Sequence, residues 1–317
     1  MFEKKRIQRM KVSIRYTIII SILLQWSLFA QQYPQFTQYT YNMNIINPAY
    51  AGVKDALSIN VLGRTQWIGV EGAPKTGTLG IHSSLGQSRN FGAGFSAIYT
   101  EVGPVKETHL YGDLAYKLNV YNEGVLSFGL KFGASLQNLN QALLRFTSNE
   151  NFNTNLTNKT YANLGFGLFF SQEEFYVSLS VPNVLSTNFF DVESTLDTTR
   201  EVARNGTVFL GGGYVFEVSE SLKIKPAVML RYSSSVPFAT DISSTAFIDE
   251  IFELGASYRI NESIAVIAAL NLNKNFRVGY SYDFSTGGIL NSNGSHEIML
   301  LFDMDLKERI RRVPKYY

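Results

Sequence analysis

Few side chains in this chain could carry chemistry, and their spacing argues against it. The three histidines, His82, His109 and His296, stand far apart and lack metal-ligand spacing. There is no cysteine, which removes thiol nucleophiles, thiolate ligands and disulfides. No HExxH, phosphate-binding loop or nucleophile elbow occurs. Gly92-Ala93-Gly94 resembles part of a dinucleotide fingerprint. It sits in an alternating pattern with no helix after it, so a packing role is the better reading. Asp303 and Asp305 lie two apart on a terminal strand and read as lumen or interface charge. Lys131, Arg231, Arg259 and Arg277 with Asp113, Asp283 and Glu253 read as ion pairs bracing an interior, with selectivity as the sharper alternative. No catalytic, cofactor-binding or metal residue is predicted, and the chain reads as a non-enzyme.

The unusual residues are aromatics, amides, prolines and glycines. They concentrate in YPQFTQYTYNMNIINPAYAG, starting at Tyr33, and RTQWIGVEGAPKT, ending at Thr76. Phe36, Tyr39, Thr40 and Met43 recur at helical spacing and predict a short helix from about Phe36 to Met43. Pro48 disfavours helix at Asn47, and Asn47 to Gly52 reads as a turn into the first strand. The amides Gln35, Gln38, Asn42, Asn44 and Asn47 suit bonding to polar groups of an enclosed space. Gly69, Gly72 and Pro74 shape the connection between the first two strands, with Trp67 as an interface anchor.

The elements that would position these residues are strands. Leu126, Phe128, Leu130, Phe132, Ala134 and Leu136 share one face, and Ser127, Gly129, Lys131, Gly133 and Ser135 the other. Phe276, Val278, Tyr280 and Tyr282 alternate in the same way with Arg277, Gly279, Ser281 and Asp283. This is the period of two that a strand imposes. Fourteen strands are predicted: 56–65, 75–84, 91–101, 106–119, 125–138, 160–171, 175–182, 204–217, 222–232, 240–247, 252–260, 264–272, 276–284 and 296–304. In a soluble β-sandwich their polar faces would be buried without partners, at several kcal/mol each. In an all-β transmembrane antiparallel barrel the apolar faces meet lipid and the polar faces line the lumen. Fourteen is an even number, and tyrosines gather near strand ends as an aromatic girdle would require. Asn122-Glu123-Gly124 and the short polar connections near 172–174, 219–221, 261–263 and 273–275 suit a meander of hairpins. The gaps 139–159 and 183–203 are the expected outward loops. The first residues of the mature chain would then form a plug-like segment inside the barrel or across its periplasmic mouth.

Residues 1–30 read as a signal peptide. Lys4, Lys5, Arg6, Arg9, Lys11 and Arg15 precede an apolar run ending near Ala30. That run is too short to span a bilayer as a helix. The whole chain holds 28 Lys+Arg and 26 Asp+Glu. The leader takes six of the former and one of the latter, which leaves 22 against 25, net −3. The basic balance belongs to the leader, and nucleic acid is not an expected partner. The predicted organisation is a leader at 1–30, a periplasmic or lumen segment at 31–55, an outer-membrane barrel at 56–305 and a basic tail at 306–317.

The opening motifs also carry a resemblance. Pro34, Gln35, Phe36, Gln38 and Tyr39, then Asn47, Pro48, Ala49, Tyr50, Ala51 and Gly52, then Arg64, Gln66, Trp67, Gly69, Gly72, Ala73, Pro74 and Lys75 resemble the start of the PorP/SprF family of Bacteroidetes outer-membrane proteins. Gly294 to Ile298 and the closing Pro314-Lys315-Tyr316-Tyr317 resemble it too, although the family tail usually ends Arg-Tyr-Phe. The resemblance implies a type IX secretion system component. It implies a role in secretion or surface attachment of proteins with a C-terminal sorting domain, such as gliding adhesins. It implies partners in a periplasmic ring lipoprotein and that lipoprotein's partner, beside outer-membrane lipids. A diffusion channel for small solutes is the alternative. No catalytic or ligand residue comes with the family, so the matched residues are predicted as structural or interaction motifs.

Overall fold

The computed structural model describes residues 35–120, 124–140, 159–185, 187–192, 200–204, 206–234, 236–287, 292–305 and 316–317. All of them belong to the unit Gln32–Tyr317. The predicted leader, Pro34, the centre of the 139–159 loop and most of the tail lie outside the described residues.

The strands are β1 (Ala56–Thr65), β2 (Lys75–Leu85), β3 (Phe91–Val102), β4 (Val105–Asn119), β5 (Val125–Leu139) and β6 (Lys159–Ser171). They continue with β7 (Phe175–Val181), β8 (Thr187–Val192), β9 (Arg200–Arg204), β10 (Val208–Tyr214), β11 (Phe216–Ser219) and β12 (Leu222–Ser233). The last are β13 (Val236–Ile248), β14 (Phe252–Arg259), β15 (Ser263–Asn271), β16 (Phe276–Ser285) and β17 (Ser295–Asp305). Neighbours pair antiparallel in sequence order, β1 pairs with β17, and β10 pairs with β12. The sheet therefore closes on itself as a 14-strand barrel, with β10 and β11 forming one interrupted stave. Closure leaves no unpaired edge, the condition for a sheet to sit in lipid.

Every expected strand has a counterpart. The stave expected at 204–217 breaks at Val215. The register Gly213↔Ala227 and Phe216↔Ile224 places Tyr214 and Val215 opposite Pro226 and Lys225. Proline has no N–H to give the ladder, so the stave parts there, and the Val215 amide donates instead to the Glu174 carbonyl at 2.6 Å. The hairpin β8–β9 stands outside the barrel sheet, within the region expected to be loop.

The strands are inside out relative to a soluble core. On β4 and β5, Leu110, Leu114, Leu118, Phe128, Leu130 and Phe132 point outward and are exposed, while Asp113, Lys117, Ser127 and Lys131 point inward and are buried. Among the described residues no helix is long and apolar enough to cross a membrane. The barrel ends differ. One end carries the turns 86–90, 120–124, 172–174, 220–221, 249–251 and 272–275, and also the start of β1 and the end of β17. The other carries the connections 66–74, 140–158, 182–207 and 286–294 together with the tight connections 103–104, 234–235 and 260–262. These are called the short-turn end and the long-loop end below.

The lumen is filled. Almost every residue from Gln35 to Asp55 is buried inside the ring. The helix expected from Phe36 to Met43 is replaced by a 3-10 turn at Tyr39–Tyr41, one α-turn at Met43–Ile46 and a 3-10 turn at Pro48–Tyr50. The barrel wall overrides helical propensity here, because lumen side chains take backbone groups a longer helix would use.

Candidate functional site

The lumen segment is pinned at the long-loop end by a buried charge cluster. Arg64, next to last on β1, reaches Asp283 of β16 at 2.7 Å and Glu297 of β17 at 3.1 Å. The two carboxylates grip the segment. The amides of Thr37 and Gln38 donate to Glu297 at 3.0 and 2.7 Å, and the Thr37 hydroxyl donates to Asp283 at 2.8 Å. Arg64 also donates to the Thr37 hydroxyl oxygen at 3.1 Å. Buried charges are tolerable because Arg64 meets two carboxylates, and each carboxylate accepts from Arg64 and from the segment. Beside them, Arg259 pairs with Asp241 at 2.6 Å and Arg231 with Asp241 at 3.3 Å.

From there the segment descends to the short-turn end. The Asn60 side chain donates to the Tyr41 carbonyl at 2.8 Å, and the Tyr41 hydroxyl donates to Glu253, which pairs with Arg277 at 3.0 Å. Lys131 pairs with Asp113 at 2.7 Å and donates to the Asn44 carbonyl at 3.2 Å. Asn47 caps the turn at Pro48: its oxygen accepts from the Ala49 amide at 2.9 Å. Its nitrogen donates to Leu168 and Ser178 on the wall at 2.9 and 2.8 Å. At the bottom, Lys117 pairs with Asp55 at 2.8 Å and donates to the Gly52 carbonyl, while Lys54 pairs with Asp303 at 3.0 Å.

The wall makes room for this path. A Cβ on Gly129 would fall on the backbone of Pro48 and Ala49, and one on Gly92 on the Ala51 carbonyl. Those glycines serve close approach of two backbones. Gly94, the third residue of the dinucleotide-like run, likewise packs against Asp113 and His82.

The second half of the opening motifs stands elsewhere, on the β1–β2 connection at the long-loop end. Its backbone is tied to two neighbours. The Ile68 amide donates to the Gly294 carbonyl at 2.9 Å and the Asn293 amide to the Ile68 carbonyl at 2.8 Å. The Gly103 amide donates to the Gly72 carbonyl at 2.9 Å, and the Trp67 amide donates to the Ser295 hydroxyl at 3.2 Å. Gly69 and Gly72 adopt φ of 92° and 73°, and Trp67 also has a positive φ of 46°.

Residues 28–302 match the family described as type IX secretion system membrane protein PorP/SprF. The chain belongs to the PorP/SprF family. It is thereby an outer-membrane barrel of the type IX secretion machinery. No curated protein matches the sequence. Among solved structures, the barrel is similar to the Acinetobacter baumannii outer membrane protein Omp33, with 10% identity, TM-score 0.45, and 79% of this chain and 100% of that chain covered. It is similar to a TodX monoaromatic hydrocarbon channel mutant, with 11% identity, TM-score 0.46, and coverage of 83% and 94%. A third likeness is the Salmonella typhi OmpF complex with daunomycin, with 10% identity, TM-score 0.37, and coverage of 78% and 97%. At these scores none of the three bears on function.

In this PorP/SprF barrel the motif residues form two groups. Gln35, Phe36, Gln38, Tyr39, Asn47, Pro48, Ala49, Tyr50 and Gly52 are buried in the lumen. Gln66, Trp67, Gly69, Gly72, Pro74 and Lys75 are half-buried or exposed at the long-loop end. Arg64 joins the groups. Of the charges expected to pair, Lys131–Asp113 and Arg277–Glu253 do so directly, and Arg259 approaches Asp283 at 4.0 Å. Asp241, Lys117, Asp55 and Lys54 are additional partners. Asp241 and Lys117 sit at inward positions of alternating strands, which was the signal available. Among the described residues no cluster of His, Asp or Glu could hold a metal.

Of the basic tail expected at 306–317, the last two residues, Tyr316 and Tyr317, are described, and both are buried inside the short-turn end. Burial, the largest cause for both, pushes their phenols up, so they act as neutral donors.

Proposed function

We propose that this barrel supports secretion or surface attachment of proteins bearing a C-terminal sorting domain, such as gliding adhesins, without itself being an enzyme. Its partners in this reading are outer-membrane lipids, a periplasmic ring lipoprotein with its own partner, and the secreted adhesin. A signal peptide cleaved near Ala30 delivers the chain to the periplasm before insertion. Family membership supports the general role. The observation that carries the specific reading is the lumen segment, held by Arg64, Asp283 and Glu297 at one end and by Lys117 and Asp303 at the other. A lumen pinned shut in this way is a poor path for solutes. The motif residues on the β1–β2 connection, braced by Gly294 and Gly103, present a shaped surface for cargo at the opposite end from the ring.

The test has two arms. In planar bilayers the full chain is expected to conduct little, and a chain lacking residues 35–50 to conduct. In cells, the same deletion is expected to abolish surface display of the adhesin while the barrel remains in the outer membrane. Large steady conductance from the full chain, with display unaffected by the deletion, would establish the diffusion-channel reading instead.

A further inference from the structure

The outer wall has a notch at the long-loop end, beside the seam that closes the barrel. Rows of outward side chains cross β17, β1, β2 and β3 there, in the register of the ladders. The row nearest the long loops runs His296, Thr65, Lys75, Glu101. The next runs Ile298, Gly63, Gly77, Tyr99. A third, Leu300, Val61, Leu79 and Ala97, is wholly apolar. Gly63 and Gly77 stand directly opposite each other, so the second row lacks two adjacent side chains. The space they leave is an open cavity of about 400 Å³, flanked by Ile298 and Tyr99 and topped by Lys75, Thr65 and His296.

Packing does not explain these two glycines. A Cβ on either meets nothing within 4 Å, and neither has a positive φ. On the inward face of the same strand, by contrast, a Cβ at Gly80 would strike the Asn44 side chain. Glycine weakens a strand interior, and where it stands there it often marks close approach of a ligand or another backbone. The polar row above the gap carries an exposed cation. Lys75 has no ion-pair partner among the described residues. Glu101, across from it, is engaged by the Tyr99 hydroxyl at 3.0 Å and by Lys106 at 3.8 Å. The Tyr280 hydroxyl holds Nδ1 of His296 at 2.6 Å, which leaves Nε2 as the remaining polar atom of that ring. Tyr99, Tyr280 and Tyr282 share these two rows and mark their level as the edge of the membrane.

We propose that the notch binds one membrane lipid with an anionic phosphate headgroup. The phosphate sits at Lys75, with Thr65 and His296 beside it, and one acyl chain lies over Gly63 and Gly77 toward Val61 and Leu79. Charge and shape favour this occupant together. An ammonium at the membrane edge attracts an anionic headgroup, and a gap that opens downward onto an apolar wall suits a flexible hydrocarbon chain. The lipid would cover the β1–β17 seam from outside at the level where Arg64 and Glu297 pair across it from inside.

The test uses the protein isolated from outer membranes and exchanged into lipid-free detergent. The probes are dipalmitoyl phosphatidate and dipalmitoylglycerol, which has the same chains and no phosphate. Each is titrated separately, and adducts are counted by native mass spectrometry. One phosphatidate is expected to bind saturably, and dipalmitoylglycerol about 5-fold more weakly. Lys75→Gln is expected to remove that preference. Gly77→Leu, which fills the gap, is expected to abolish the saturable adduct, whereas Ala256→Leu, which adds similar bulk outward on β14, leaves it intact. Heat-modifiable migration on a gel checks that each variant is folded, and Lys75→Gln, altered only at the exposed rim, carries the test alone should Gly77→Leu not fold. Three outcomes overturn the proposal: no saturable phosphatidate adduct, equal uptake of the two lipids, or a folded Gly77→Leu that binds as the unaltered protein does. A dimer that Gly77→Leu abolishes also overturns it, and assigns the notch to a second copy of the chain.

Discussion

At the residue scale, Arg64 is the side chain on which the lumen depends most. It neutralises Asp283 and Glu297, and those two carboxylates hold Thr37 and Gln38. Arg64→Leu leaves Glu297 buried without its cation and Asp283 with only Arg259 at 4.0 Å, and breaking a buried pair in this way costs about 3–5 kcal/mol. Denaturant unfolding in micelles should show that loss. Arg64→Lys should recover only part of it, because an ammonium cannot present the planar fork that spans two carboxylates. A lumen-facing and an outward-facing glycine give a sharper contrast. Gly129→Val must displace the backbone of Pro48 and Ala49, whereas a Cβ on Gly63 meets nothing within 4 Å. Gly129→Val is therefore expected to raise conductance in bilayers by loosening the segment, and Gly63→Ala to leave it unchanged. Equal behaviour of the two variants would show that the close approach at Gly129 is not what seats the segment.

At the element scale, the strands were legible because a barrel wall imposes one rule on every stave. The outward position is apolar, and the inward position is polar or small except where it packs on the lumen segment or the tail, as Phe169, Phe247 and Met299 do, so β5 and β16 could be read from alternation alone. Features set by a distant partner were not legible. The break at Val215 comes from Pro226 on the neighbouring strand, and no local signal marks it. The expected helix at Phe36 gives way to short turns because distant wall side chains take carbonyls a longer helix would use: Asn60 donates to that of Tyr41 and Lys131 to that of Asn44. The β8–β9 hairpin lies in a stretch rich in Asn, Thr and Ser without clear alternation. The candidate site was half legible. Its residues were identifiable as unusual company, but their division between lumen and long-loop end depends on β1 lying between them.

At the scale of the whole molecule, the two ends of the barrel make a prediction about orientation. Short turns face the periplasm and long connections face outward in bacterial outer-membrane barrels. The chain has no cysteine, so single replacements report cleanly. On intact cells a membrane-impermeant maleimide should label Glu71→Cys, exposed on the β1–β2 connection, and not Lys274→Cys, exposed on the β15–β16 turn. Permeabilised cells should label both. The reverse pattern would place the short-turn end, with Tyr316 and Tyr317, at the outer face of the membrane.

Arg64 stands directly across from Glu297 in the ladder between the first and last strands. That ladder joins the two ends of the barrel sequence, so it can form only after β17 exists. The same pair grips Thr37 and Gln38. The final seam and the seat of the lumen segment therefore share one residue pair of very long sequence separation, a contact of the kind that forms slowly. A chain whose first mature residues miss the lumen would also leave the charges at its seam without the Thr37 and Gln38 donors that help to satisfy them. The outer membrane would then receive a barrel with a weak closing joint, open to removal by quality-control proteases, and not merely an unplugged one.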